Sequence, residues 1–243
     1  MFNSKRFVKD FLCVEYMNDT SVVISNGTSG KTEYNFDAIY NGSTDQISFY
    51  KDVASPTIEE VLKGYNGTIF TYGQSGSGKT YTIFGDDIFD DHKKGIIPRS
   101  MYFNTINDRD QIFSYIENEN NDKIEFQLKF SILEIYKETL YDLLSPIRNS
   151  NAQLKIKEDP KKGIFVENLS EPYIEDKEEL LFLLDSAEEN RYVNETKLNK
   201  NSSRSHIVFI LHILQKMPDG VEKKGILNLI DLAGSERVTS TLF

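Results

Sequence analysis

Cysteine is nearly absent: Cys13 stands alone, so no internal disulfide can form and no thiolate metal cluster can be built. Cys13 itself reads as a small, partly buried apolar residue. Long apolar runs are missing, and none approaches the roughly 18–20 residues a membrane-crossing helix needs. The opening stretch, MFNSKRFVKDFLCVEYMND, has no apolar core long enough for a secretory signal. No membrane partner is expected, and the cytoplasm or nucleus is the expected compartment. Positive charge is also scarce, with 28 Lys and Arg against 38 Asp and Glu, a formal net charge of −10. A chain so acidic is not expected to bind nucleic acid or acidic membranes, and the same restriction applies to a polyanionic protein track. The acidic runs Glu171–Glu179 and Glu188–Glu189 read as solvated helix faces. Internal repeats, low-complexity tracts and Pro/Gly/Ser linkers are lacking too, which predicts one domain over residues 1–243. Of the three histidines, His92 and His212 give no reason to propose a metal site.

What is present is a succession of strand and helix patterns. Ser21–Ser25 is a short strand candidate followed by a turn over Asn26–Gly30. A helix is predicted from about Asp45 to Lys63, perturbed near Pro56. Gly67–Tyr72 reads as a buried strand that runs straight into a glycine-rich loop and then Tyr81–Phe84. Gly85–Gly95 reads as a loop and Pro98–Asn118 as a helix, with Pro98 suited to a first turn. Lys123–Tyr136 alternates apolar and polar residues over one long strand. Asp176–Val193 has helical spacing through Leu180, Leu183, Leu184 and Ala187. Ile207–Leu214 and Gly225–Ile230 are strands joined by a turn-rich segment around Pro218–Gly220. This order predicts an α/β fold, a mixed β-sheet with helices on both faces.

The glycine-rich loop carries chemistry. Gly73-Gln74-Ser75-Gly76-Ser77-Gly78-Lys79-Thr80 fits GxxxxGK[ST] between a predicted strand and a predicted helix, the context a phosphate-binding loop requires. Glycines permit backbone torsions that bring successive N–H groups onto phosphate oxygens, and the following helix directs its positive end at the same anion. Lys79 would pair with β- and γ-phosphates, and the Thr80 hydroxyl would ligate Mg²⁺. Guanine-specific enzymes commonly carry Asn-Lys-x-Asp; the nearest string here, Asn199-Lys200-Asn201-Ser202, lacks the aspartate, which favours ATP or ADP as the nucleotide.

Two further segments point to a family. Asn199-Lys200-Asn201-Ser202-Ser203-Arg204-Ser205-His206 resembles the kinesin switch I pattern NxxSSRSH. Asp231-Leu232-Ala233-Gly234-Ser235-Glu236 resembles the kinesin switch II pattern DLAGSE. Gly64–Thr82, Gly95–Arg99 and Glu134–Leu144 are similar to kinesin segments as well, so the resemblance covers nearly all of Asn18–Val238. It implies a P-loop motor core, a Mg²⁺-dependent ATP hydrolase that works on microtubules in the cytoplasm, at the cytoskeleton. It also implies roles. Ser203 would be a metal ligand and Ser202 would hold the attacking water, which Asn199 would orient. Asp231 would hold a Mg²⁺-bound water, and the Gly234 N–H would sense the γ-phosphate. Arg204 and Glu236 would form a salt bridge closing the site, with Glu236 as proton acceptor through a water chain. Tyr81 would either stack on adenine or pack in the core; His206 and Arg99 stand open between structural and functional roles.

The same resemblance carries expectations about extent. Kinesin motor domains open with an Arg-x-Arg-Pro strand that cradles adenine, and residues 1–17 show no counterpart. The chain stops at Phe243, soon after switch II, so the microtubule-facing helices and neck are expected to be missing. Microtubule contact is then expected to be weakened or lost, and the oligomeric state to be set by absent regions. Lys161-Lys162 reads as a solvated turn, with a minor tubulin contact as the alternative. A non-motile fragment that binds nucleotide or a partner without microtubule coupling is the alternative to a working motor core.

Overall fold

A computed structural model describes residues 14–16, 18–25, 30–101, 112–119, 124–145, 154–160, 163–197 and 204–236. The chain divides into two compact units, Met1–Asp45 and Gln46–Phe243. The first unit holds a three-stranded antiparallel sheet, β1 (Val14–Tyr16), β2 (Ser21–Ser25) and β3 (Lys31–Asn35), in sequence order. Only β2 was expected from the pattern. Every residue of β3 is exposed, which explains why it lacks an apolar signature.

The second unit begins with α1 (Gln46–Phe49), a π-helical turn over Tyr50–Ala54, and α2 (Ser55–Leu62). The widened turn lies just before Pro56, which cannot donate a backbone hydrogen bond and whose ring crowds the carbonyl four residues earlier. Ala54, Ile58, Val61 and Leu62 are buried at helical spacing, each large side chain contributing about 1.5–3 kcal/mol. The helix packs so closely on the next strand, β4 (Asn66–Thr71), that a Cβ at Gly67 would meet Thr57 and Val61 methyls at 2.6 and 2.7 Å. After β4 come the glycine-rich loop and α3 (Lys79–Ile83). A closed loop follows, in which the Gly95 N–H donates to the Phe84 carbonyl at 2.9 Å.

The helix expected over 98–118 is described as two pieces, α4 (Ile96–Met101) and α5 (Ile112–Glu119), with 102–111 outside the described residues. Next are β5 (Glu125–Tyr136) and β6 (Thr139–Asp142), joined through Lys137 and Glu138 at φ +49° and +63°. A two-stranded hairpin, β7 (Lys155–Asp159) and β8 (Gly163–Glu167), stands as its own sheet; Lys161 and Lys162 lie outside the described residues. The short β9 (Tyr173–Ile174) leads to α6 (Lys177–Lys197), whose start is capped by Asp176, its carboxylate accepting the Glu179 N–H at 2.8 Å. β10 (His206–Lys216) and β11 (Glu222–Asp231) complete the fold.

The central sheet runs β4-β11-β10-β5-β6, with β9 also on β5. β4 and β11 are parallel, while β10 is antiparallel to both β11 and β5, so the sheet is mixed and flanked by helices, as the α/β pattern predicts. Alternation along β10 sets one face wholly inside. Ile207, Phe209, Leu211 and Ile213 are buried with Leu227 and Leu229 of β11 and with the buried residues of α2 to α6. The alternate residues of β10, Val208, Ile210 and Leu214 among them, are half-buried. No described helix is long and apolar enough to cross a membrane.

Candidate functional site

The sheet topology gathers motifs that lie far apart in sequence. Because β4 and β11 are parallel and paired Thr71 to Asp231, the loops that follow them leave the sheet side by side. β10 is antiparallel to β11 and pairs Ile207 with Asp231, so its first residues start from that same end. The glycine-rich loop, the Asp231–Glu236 loop and the root of the Ser-rich segment therefore meet at one sheet edge, all within the second unit.

The glycine-rich loop is shaped by local torsions. Gly76 and Gly78 stand at φ +77° and +92°, a region side chains avoid, and Gly78 caps α3 in the left-handed conformation. The Ser77 N–H closes a turn on the Gln74 carbonyl at 3.2 Å, and the Lys79 ammonium reaches back to that same carbonyl at 2.9 Å. Ser75, Gly76, Gly78, Lys79, Thr80 and Tyr81 line a cleft of about 300 Å³ together with Asp231 and Leu232. Tyr81 is half exposed, and its carbonyl accepts from the Gln46 side chain at 2.8 Å.

Asp231 is the buried carboxyl group of the site, 5% exposed. Its Oδ2 accepts the Thr80 hydroxyl at 2.5 Å and its Oδ1 the Thr71 hydroxyl at 3.3 Å. The two motifs are thus joined by a direct hydrogen bond between residues 151 positions apart.

Four bonds hold the loop beyond Asp231. The Ala233 N–H donates to His206 Nδ1 at 3.0 Å, and the Ser235 N–H donates to the Gly73 carbonyl at 3.0 Å. Glu236 accepts the Ser75 N–H at 2.9 Å and also the Ser75 hydroxyl. The Ser75 hydroxyl, followed by backbone N–H groups, holds the Glu236 carboxyl below the usual glutamate range, with Lys79 adding a smaller push the same way. Gly234 lies against this pair: a Cβ there would come within 2.6 Å of the Ser75 hydroxyl and meet both Glu236 oxygens.

Of the residues expected from sequence, Gly73, Gln74, Ser75, Gly76, Ser77, Gly78, Lys79, Thr80, Tyr81, Asp231, Gly234 and Glu236 come together at this edge. Asn199, Ser202 and Ser203 lie outside the described residues. Arg204 is exposed, and among the described residues Glu236 bonds Ser75 and makes no ion pair with Arg204. Sequence reasoning missed Thr71 and Gln46, and left His206 undecided. Thr71 comes opposite Asp231 only through the β4–β11 register, which the sequence does not display, and Gln46 carries no signal because its partner is a backbone carbonyl 35 positions away. Among the described residues, no group of three or more His, Cys, Asp or Glu gathers to hold a metal ion.

Comparison with known proteins agrees with this geometry. The family model described as the kinesin motor domain matches residues 4–242, and so extends into the opening segment where no counterpart was recognised. Kinesin-related protein 5 of Dictyostelium discoideum is 40% identical over 233 residues, 94% of this chain and 22% of that protein. Kinesin-like protein klp-20 of Caenorhabditis elegans is 43% identical over 206 residues, 85% of this chain and 30% of that protein. A solved structure described as that of a fast kinesin superposes with a TM-score of 0.81 at 32% identity, covering 95% of this chain and 62% of that one. The chain thus spans about a fifth to a third of the length of these two relatives.

Proposed function

Since the chain belongs to the kinesin motor-domain family, we propose that the cleft beside Lys79 binds ATP with Mg²⁺ and hydrolyses it, coupling hydrolysis to movement of the two loops around it on a microtubule. The observation that carries this reading is the 2.5 Å hydrogen bond from Thr80 to Asp231. It puts the hydroxyl of a phosphate loop and a buried carboxylate in one cleft, as a metal–phosphate site requires.

The donor set fits Mg²⁺. That ion keeps several waters and takes one or two protein oxygens beside substrate phosphates, so it needs no all-protein cage. Thr80 and Ser203 would supply hydroxyl ligands, and Asp231 would hold a metal-bound water. Mg²⁺ held there would supply neutralisation of phosphate charge.

The chain's own residues would do the rest by positioning and charge. Lys79 carries its ammonium on the loop that encloses the phosphates, and release from the Gln74 carbonyl frees it to meet them. The Gly234 N–H would meet the γ-phosphate and register its loss. Glu236 is the proton acceptor we assign, through water, with Asn199 and Ser202 placing the attacking water. Its bond to Ser75 would then be exchanged for Arg204 as the site closes. The partner we propose is the microtubule, met by local contacts because the chain's own net charge is −10.

Steady-state ATPase with and without polymerised microtubules tests this reading, beside Lys79→Ala and Glu236→Ala. Turnover that rises with microtubules and falls at least about 100-fold in both variants is expected. Turnover that is sensitive to both variants yet indifferent to microtubules would leave a nucleotide-binding core without coupling. No turnover and no bound nucleotide would overturn the enzyme reading.

A further inference from the structure

The ladder between β10 and β11 has its last backbone pair at Ile207 and Asp231. One step further, the His206 side chain takes over, its Nδ1 accepting the Ala233 N–H at 3.0 Å. We propose that His206 is a positioning residue for the nucleotide reaction, fixing through this bond the peptide that precedes Gly234. The inference rests on the nucleotide-hydrolysing reading above, and adds to it a residue that touches neither phosphate nor metal.

The case follows from what is held and what is not. Ala233 is tied to the root of the Ser-rich segment, and Ser235 is tied to Gly73 of the phosphate loop. Between them, the Gly234 N–H has no hydrogen-bond partner among the described residues. An amide bracketed by two anchored neighbours keeps its direction without spending a bond of its own, so it stays available to a ligand oxygen. Glycine at 234 is otherwise free to rotate, and the bond one residue earlier removes that freedom. A core histidine that merely satisfied itself would not need an acceptor aimed at the loop adjoining Asp231. Accepting at Nδ1 means the neutral ring carries its proton on Nε2. The arrangement also ties the loop beyond β11 to the first residue of β10, so displacement of either strains the other.

The chemistry predicts which replacements work. Asparagine presents an acceptor oxygen at a distance from the backbone similar to Nδ1, whereas leucine fills space and accepts nothing. In His206→Leu, amide hydrogen exchange at Ala233 is expected to accelerate at least about ten-fold. ATPase kcat is expected to fall about five- to ten-fold, the factor an ordinary hydrogen bond is worth, with ADP affinity within about two-fold of the parent. His206→Asn is expected to restore both the exchange protection and most of kcat. Unchanged exchange in His206→Leu, or equal loss of kcat in both variants, would overturn the proposal. Should His206→Leu fail to fold, NMR of the parent decides alone: a coupling across the hydrogen bond from the Ala233 amide to Nδ1 is expected, and its absence sinks the idea. If the parent shows no Lys79-dependent turnover, the nucleotide reading fails. Exchange and coupling at Ala233 then still judge the bond, and a loop unprotected in the parent would overturn the role as well.

Discussion

The two ends of the β10–β11 ladder are built on opposite plans. At the far end the chain reverses over residues 217–221 by local means. The Met217 N–H donates to the Val221 carbonyl at 2.8 Å, the Gly220 N–H to the Met217 carbonyl at 2.9 Å, and the Val221 N–H to the Asp219 carboxylate at 3.0 Å. Every partner is within four positions. At the near end the ladder passes to side chains whose partners are 27, 151 and 161 positions away, His206 to Ala233, Thr80 to Asp231 and Ser75 to Glu236. A turn closed by its neighbours is stable for itself alone. A loop closed by distant elements reports on those elements, which suits the nucleotide-sensing role proposed for it. The difference teaches that substitutions at the near end should act on function and those at the far end on stability.

The largest effect that would test this contrast is expected from Gly234→Ala. The added Cβ meets the Ser75 hydroxyl and both oxygens of Glu236, so the carboxylate has to leave or the loop has to shift. Misplacement of about 1 Å in a catalytic arrangement costs on the order of 100-fold. ATPase kcat is expected to fall by about that factor, while stability stays within about 1 kcal/mol because the loop is only partly buried. Measured kcat within about three-fold of the parent would show that the near end tolerates displacement, and the contrast would break.

Gly220→Ala is the matching change at the far end. Gly220 sits at φ +84° with open space around it, so the whole cost is backbone strain. Placing alanine in the left-handed region costs about 1–2 kcal/mol. Urea unfolding is expected to show that loss, with ATPase unchanged. A fall in ATPase without a fall in stability would mean that the far end is coupled to the site through the ladder.

The same contrast explains which features could be read from the sequence. The helix beginning after Asp176 was legible because its cap and its apolar spacing through Leu180, Leu184 and Ala187 are local. β10 and β11 were legible because alternation shows directly in the residue types, and the phosphate loop because its glycines do torsional work at fixed spacing. The reversal between β5 and β6 was not, because Lys137 and Glu138 take positive φ without the glycine or asparagine that signals such a turn. β3 was not, since a strand exposed along its whole length has no apolar face to display. At the site, the motifs marked the phosphate loop and the Asp231–Glu236 loop that the fold brings together, but not how their residues pair. Arg204 and Glu236 carry opposite charges, yet Glu236 bonds Ser75 here, because register brings the phosphate loop to it and charge alone carries no geometry.

The smallest effect probes that pairing directly. The Ser75 hydroxyl is the main cause of the lowered Glu236 pKa, so Ser75→Ala should let the carboxyl return toward its ordinary range. The sign follows from linkage. A carboxyl whose folded pKa is depressed contributes its stabilisation fully above the unfolded value, and loses it as the pH falls through the folded value. In the parent, the Glu236–Ser75 bond should therefore outlast the ordinary glutamate range on acidification, and in Ser75→Ala it should open at higher pH. Because Glu236 is exposed, water screens the interaction and the change in overall stability should be slight. Following the Glu236 side-chain carboxyl carbon by NMR across an acid titration measures the effect without relying on turnover. A midpoint that does not rise in Ser75→Ala would mean that the backbone N–H alone holds the carboxylate. The near end would then resemble the far end more closely, with main-chain groups doing the closing.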